Sequence, residues 1–351
     1  MHMSDALISP AVGGTLWAVA GGCIAFCARK VAITPRDNLV PMMGVLGAFI
    51  FAAQMINFAI PGTGSSGHLG GGLILAVLLG PYAAFIAIAS VLTVQALFFA
   101  DGGLLALGCN IINLGFFPAF VAYPLIYRPV ARGRYATPRA WVAALLAAVA
   151  GLQLGAFSVV AETKASGISE LPFATFLLVM LPIHLVIGVV EGMATASVVS
   201  FVAKARPEAL PAAATERTPG GLRPVLAALA MAALVLGGVA SWFASSRPDG
   251  LEWSMSRISG KEELNAPAGG IHQTLAGLQE KTAILPDYEF KTPGAEHIPS
   301  ESEESTPPSW PAVSAGASVS GIVGGLITLA LTGLAGLTIK ARSMQRARGN
   351  G

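Results

Sequence analysis

The strongest constraint on this chain is the spacing of its apolar runs. Stretches at 11–28, 39–60, 69–79, 81–99, 104–127, 139–161, 173–203, 224–244 and 318–340 are separated by short polar or Gly/Pro-rich connections. Most approach the roughly 20 apolar residues that a helix needs to cross a bilayer. A spanning segment must satisfy its own backbone hydrogen bonds, so runs of this length read as helices. The third run is too short to cross alone. Gly80-Pro81 joins it to the fourth, and the two read as a broken pair, buried among neighbours or lining a cavity. With 54% hydrophobic and 11% charged residues, against about one-quarter charged in soluble domains, the chain is predicted to be an all-α integral membrane protein, with the lipid bilayer as its first partner. No basic stripe with interleaved aromatics is present, which argues against nucleic acid.

Orientation follows from charge. A secretory signal carries basic residues before its apolar run, whereas Arg29 and Lys30 come after it; the first helix is therefore predicted to remain uncleaved with its N-terminus outside. Alternation then places 29–38, 128–139, 204–223 and 341–351 inside. With Lys340 at the edge of the last, fifteen of the 21 Lys and Arg fall there, the bias expected of cytoplasmic loops. The C-terminus is thus predicted to be cytoplasmic. A Pro-rich polar linker at 204–223 divides seven helical segments (1–203) from two more (224–342), and 343–351 forms a basic tail. The last two segments enclose an outer loop, 245–317, with eleven acidic and five basic residues. It ends in Glu301-Ser-Glu-Glu-Ser-Thr-Pro-Pro, a composition that reads as disordered.

The N-terminus carries a candidate chelate. A free Met1 amine, the deprotonated His2 amide and the His2 ring nitrogen can occupy three corners of one plane, and the bulk of His2 predicts that Met1 is retained. A fourth nitrogen would complete a square, a geometry that suits Ni(II) or Cu(II) rather than Zn(II), Mg(II) or Ca(II). His68 is the best candidate. It lies on the same predicted side, in Pro61-Gly-Thr-Gly-Ser-Ser-Gly-His-Leu-Gly-Gly-Gly, whose glycines suit either a tight loop folded back on the N-terminus or close helix packing.

Amides punctuate the apolar segments. Gln54 and Asn57, Gln95, and the i, i+3 pair Asn110 and Asn113 serve either as interhelical glue or as supports for a chelating His and the N-terminal loop. His184 and Glu191, seven apart, share a helix face that we read as a packing or partner-docking face. Cys23, Cys27 and Cys109 lack metal-site spacing and read as packing residues, and Met3, Met42, Met43 and Met55 share no face. No GxxxxGK[ST], HExxH or GxSxG motif occurs, so any ATP hydrolysis must come from another subunit.

Taken together, Met1-His2-Met3-Ser-Asp-Ala-Leu-Ile-Ser-Pro10, Ser66-Gly-His68-Leu-Gly, Gly108-Cys-Asn110-Ile-Ile-Asn113-Leu-Gly and His184-Leu-Val-Ile-Gly-Val-Val-Glu191-Gly resemble the NikM/CbiM family. These are substrate-binding (S) components of energy-coupling factor (ECF) transporters for nickel and cobalt. Pro248-Asp-Gly-Leu-Glu252 resembles the PDGLE signature of NikN/CbiN-type components, so the chain looks like a fusion of the two. It departs from the pattern at Leu114, where Met is frequent in the family.

The resemblance implies a seven-segment S-component bundle followed by two transmembrane helices, in a prokaryotic plasma membrane. It implies a transported Ni(II), or alternatively Co(II), held by the Met1 amine, the His2 amide and ring, and His68. It also implies a NikQ/CbiQ-type coupling subunit and a NikO/CbiO-type ATPase as partners, with Asn110 and Asn113 carried over only as supports. The rivals are an intramembrane metalloenzyme, which would need an open coordination position and a general base, and a sensory or scaffolding membrane protein.

Overall fold

The computed structural model describes residues 2–33, 36, 38–210, 221–291 and 310–349. Met1, most of the linker and the acidic run at 301–308 lie outside the described residues. Apart from short 3-10 turns, the helices run in chain order α1 (Pro10–Ile33), α2 (Leu39–Gln54), α3 (Gly72–Leu79), α4 (Pro81–Phe98), α5 (Leu107–Ala131), α6 (Pro138–Ser166), α7 (Phe173–Ala205), α8 (Arg223–Gly238) and α9 (Gly250–Ser259). They are followed by α10 (Gly270–Thr282) and α11 (Ala315–Gly349), and a two-residue hairpin, β1 (Phe58–Ala59) with β2 (Ser66–Gly67), follows α2. Among the described residues α1, α4, α5, α6, α7 and α11 are long and apolar enough to cross a membrane, while α2 and α8 are shorter apolar helices. The chain is an all-α, multi-pass membrane protein.

Short and long helices occupy different places. Every residue of α3 and all but three of the 16 in α2 are buried, so both are apolar all round and form the centre of the bundle. By contrast α1 exposes Trp17, Val19 and Phe26, and α7 exposes Leu178, Val186 and Phe201, side chains suited to lipid. The expected break between α3 and α4 is present. Gly80 takes φ 86° there, and Pro81, whose missing N–H costs nothing at a first helical position, starts α4.

Three features differ from the sequence reading. The second helix stops at Gln54 rather than near residue 60, because the chain turns into the hairpin that carries the segment before His68. The fifth is wound with i→i+5 hydrogen bonds from Ile112 to Tyr127, around Pro118 and Pro124, which cannot donate to an α-helical ladder. The loop between α8 and α11 holds two further helices, α9 packed on α7 and α10 on α4.

α8 and α11 are part of the same body. α11 lies along α2 and also touches α4 and α1. It crosses α8 so closely that a Cβ on Gly321 would stand 2.3 Å from the Gly237 carbonyl oxygen. Close backbone approach of this kind is how helices associate in lipid, where no hydrophobic drive separates them from the solvent.

Candidate metal site

Residues 2–9 form a plug at one end of the bundle. Met3, Leu7 and Ile8 are fully buried, and Asp5 accepts the Ala106 N–H at 2.9 Å near the start of α5. Asn110 accepts the Met3 N–H at 2.8 Å and donates to the Met3 carbonyl at 3.2 Å, while Asn113 donates to Glu162 at 2.8 Å and lies 3.6 Å from the Met3 sulfur. Asn110 thus anchors the N-terminal segment, while Asn113 touches Met3 and also ties α5 to α6 through Glu162.

The plug brings His2 against His68. The two rings stack, with centroids 5.0 Å apart and planes 8° from parallel. His2 Nδ1 lies 2.9 Å from Asp101 Oδ1, whereas its buried Nε2 has no hydrogen-bond partner. His68 Nδ1 lies 3.1 Å from the Leu69 carbonyl, which leaves Nε2 facing Asp249 Oδ2 at 3.8 Å. Burial lowers the His68 pKa below its usual value and so favours the neutral ring that a metal requires. For Asp101 burial acts upward, but the attraction of His2 and the hydrogen bonds from His2 and Tyr288 outweigh it, holding the carboxyl below the usual range. Among the described residues no three His, Cys, Asp or Glu side chains converge as a metal cage; the side chains supply two imidazoles.

The His68 loop is gripped from beneath. Glu191 accepts the N–H groups of Gly70 and Gly71 at 2.6 and 3.1 Å. Gln54 donates to the Gly70 carbonyl at 2.8 Å and is itself bonded by Gln95 at 3.0 Å. Asn57, past the end of α2, borders the cavity above the site, and its backbone carbonyl accepts the Ser245 N–H at 2.7 Å. Of the two roles read for the face shared by His184 and Glu191, packing or partner docking, the structure displays packing: both side chains are buried, 1% and 2% exposed, within this chain. His184 Nδ1 binds the Met180 carbonyl at 2.8 Å and the ring abuts Gly250, so this face is not free for another subunit.

The Pro248–Glu252 motif closes the loop from above. Asp249 caps α9 by accepting the N–H groups of Leu251 and Glu252 at 2.7 and 2.9 Å, and Glu252 accepts the Asp249 N–H at 2.8 Å, a complete capping box. Gly250 is required for space, since a Cβ there would stand 2.9 Å from His184 Cε1. Ser66 donates its N–H to the Pro248 carbonyl at 2.8 Å and its hydroxyl to the Arg247 carbonyl at 2.7 Å, and Trp253 donates to Thr63 at 3.0 Å. A cavity of about 500 Å³ lies over the site, and its lining includes Asp5, Asp101, Asp249, Glu252, Glu263 and Asp287 but no Lys or Arg among the described residues. Such a lining attracts cations.

Asp101, Glu162, Asp249 and Tyr288 were not singled out in the sequence as site residues. Asp101 sits in a short Asp-Gly-Gly turn after α4, on the same predicted side as His68, and that position was the available signal. Nothing local marks Tyr288.

A multi-pass bundle that sets two stacked imidazoles beside carboxylates has the donor set of a protein that handles a metal ion at a membrane. Residues 2–209 match the family profile described as "Cobalt uptake substrate-specific transmembrane region" (CbiM), and residues 223–341 match the PDGLE domain. The chain belongs to the CbiM family of metal transport proteins and carries a fused PDGLE domain. It is 33% identical over 342 residues to a protein of Archaeoglobus fulgidus named for a fused nickel transporter (NikMN), covering 94% of this chain and 96% of that one. It is 31% identical over 315 residues to the fused nickel transport protein NikMN of Rhodobacter capsulatus, covering 82% and 88%. A crystal structure of a truncated transition metal transporter superposes with a TM-score of 0.52 at 29% identity, over 58% of this chain and 99% of that one.

Proposed function

We propose that this protein captures Ni(II) at the outer membrane face and is the specificity subunit of an ATP-driven ECF importer, with a coupling subunit and an ATPase supplied in trans. The observation that carries the reading is the pairing of His2 and His68, two largely enclosed rings stacked at 5.0 Å. In this reading the Met1 amine and the His2 amide supply the other two nitrogens of a square plane. Ni(II) favours that geometry over Co(II), while Cu(II) would bind more tightly still, so copper must be excluded by supply or redox state. The positive-inside bias supports an N-terminus outside and a C-terminus inside. The two profile matches support two units, 1–203 and 224–342, joined by a cytoplasmic linker.

The test is metal analysis of the purified full-length protein offered nickel, cobalt and copper together, alongside nickel accumulation by cells carrying the whole transporter. His2→Ala, His68→Ala and a one-residue extension before Met1 are each expected to abolish high-affinity uptake while the protein still inserts. Wild-type uptake by the extended protein would sink the chelate. Preferential retention of cobalt would reassign the substrate without touching the site.

A further inference from the structure

A chelate that begins at the amine and the His2 amide can use only one ring nitrogen. Nδ1 closes a six-membered ring with the metal and the amide nitrogen, whereas Nε2, on the far edge of the imidazole, cannot close a ring of comparable size. Yet the ring stands the other way round. Nδ1, the nitrogen required, faces Asp101 Oδ1 at 2.9 Å, and Nε2, which a chelate would leave spare, is buried without a partner.

We propose that Asp101, held by Tyr288 of the PDGLE region, is a positioning residue that exchanges the two nitrogens of His2 as metal binds, an inference that rests on the chelate reading above. In the metal-free state Nδ1–H donates to Asp101. A half-turn about Cβ–Cγ presents Nδ1 to the metal and brings Nε2 within reach of the same carboxylate. The ring's single proton then resides on Nε2 and donates to Asp101, while the protons released by the amine and amide pass to water. Asp101 thus serves His2 in both states, and the loaded state gains the carboxylate–imidazole–metal relay that orients metal-bound histidines and raises their basicity.

The carboxylate is itself fixed from the other half of the chain. Tyr288 donates its hydroxyl to Asp101 Oδ2. Its ring stacks on Phe99 at 5.1 Å, its carbonyl accepts the Ser320 hydroxyl at 2.9 Å, and the Asp287 N–H reaches the Phe99 carbonyl at 2.8 Å. Gln279 adds a bond to the Gly102 carbonyl at 2.8 Å, beside Asp101. The fused region therefore reaches the His2 ligand through one residue.

The experiment titrates full-length protein in detergent with Ni(II) alone, following affinity and the d–d absorption band of the bound ion, for wild type, Asp101→Asn, Asp101→Glu, Tyr288→Phe and the His2→Ala control. Asp101→Asn is expected to lose about 10–100-fold in affinity, as outer-shell partners of metal ligands do. It should also shift the band, and Asp101→Glu should restore part of both. Tyr288→Phe, which leaves the fold's apolar contacts in place, should shift the band in the same direction with a several-fold loss. Wild-type affinity and band in both Asp101→Asn and Tyr288→Phe would overturn the proposal, as would a lower thermal midpoint with an unmoved band. Wild type without a planar nickel band would overturn the chelate reading itself.

Discussion

The two histidine-bearing segments are held in different ways. The plug at residues 2–9 is fastened mainly by the first region: Asn110 takes both polar groups of Met3, Gly103 donates to the Met3 carbonyl at 2.9 Å, and Asp5 meets Ala106. The PDGLE region adds His272, bonded to the Ile8 carbonyl at 2.9 Å, and the indirect grip of Tyr288 through Asp101. The His68 loop is clamped between both regions, with Glu191 and Gln54 on one side and Arg247, Pro248 and Trp253 on the other. His2 is therefore placed by the bundle and adjusted by its neighbour, whereas His68 is placed by the two regions jointly.

The largest expected effect tests the lower jaw of that clamp. Glu191→Ala leaves the N–H groups of Gly70 and Gly71 buried and unbonded, at about 1–3 kcal/mol each. Since about 1.4 kcal/mol is tenfold, nickel affinity should fall at least tenfold and the thermal midpoint should drop, with Glu191→Gln intermediate because it keeps one acceptor. Unchanged affinity in Glu191→Ala would show that the carboxylate does not hold the His68 loop. Asn110→Ala should cost less. It strands the Met3 N–H, but the Met3 carbonyl keeps Gly103, so a loss of several-fold is expected in the same titration.

Much of what lies within a few residues was legible in the sequence, the winding of α5 and the helices α9 and α10 excepted. Apolar runs gave the helices, Gly80-Pro81 gave the break between α3 and α4, and nitrogen chemistry with side-alternation paired His2 with His68. The spacing of His184 and Glu191 correctly gave one shared face, but not that the face turns inward onto Gly70, Gly71 and Gly250. The remainder depends on contacts between distant residues. Asp249 is recognisable locally as a helix cap, yet its second oxygen meets His68, 181 positions away, and Tyr288 meets Asp101 across 187. Periodicity carries no information about such pairs. The same holds for α2, where an apolar run continues past Gln54 and only the tertiary demand for the hairpin ends the helix.

Gly250→Ala tests the upper jaw. Its Cβ would press on His184 Cε1 at 2.9 Å and Ile187 Cδ1 at 3.1 Å, and overpacking of this order costs about 1–3 kcal/mol, part of it relieved by a shift of α9. A loss of a few-fold in nickel affinity is expected. If the two histidine segments are held independently, the effects of Gly250→Ala and Asn110→Ala should add in the double variant to within about 0.5 kcal/mol. A larger coupling term would mean that the plug and the loop move together.

The smallest effect is a difference in sign between the two sides. Burial, and then the neighbouring Asp249, raise the Glu252 carboxyl to about 7, whereas Asp101 is held below the usual range. With a folded pKa above its unfolded value, Glu252 keeps its proton in the native state after the unfolded chain has released it. Its contribution is therefore complete below about pH 4.3 and is lost as the pH rises toward 7. Asp101 behaves oppositely: its contribution is present above about pH 3.9 and fails only in acid, so it is constant from neutrality down to mild acidity. His68, lowered by burial, gains stability with rising pH in the same window as Glu252, so the raw profile mixes the two. The difference between wild type and Glu252→Gln isolates the glutamate. Thermal midpoints of the full-length protein between roughly pH 5 and 8 should show wild type losing stability relative to Glu252→Gln as the pH rises. Parallel profiles would mean that Glu252 ionises as freely in the capping box as in the unfolded chain, leaving only the Asp101 side with a shifted carboxylate.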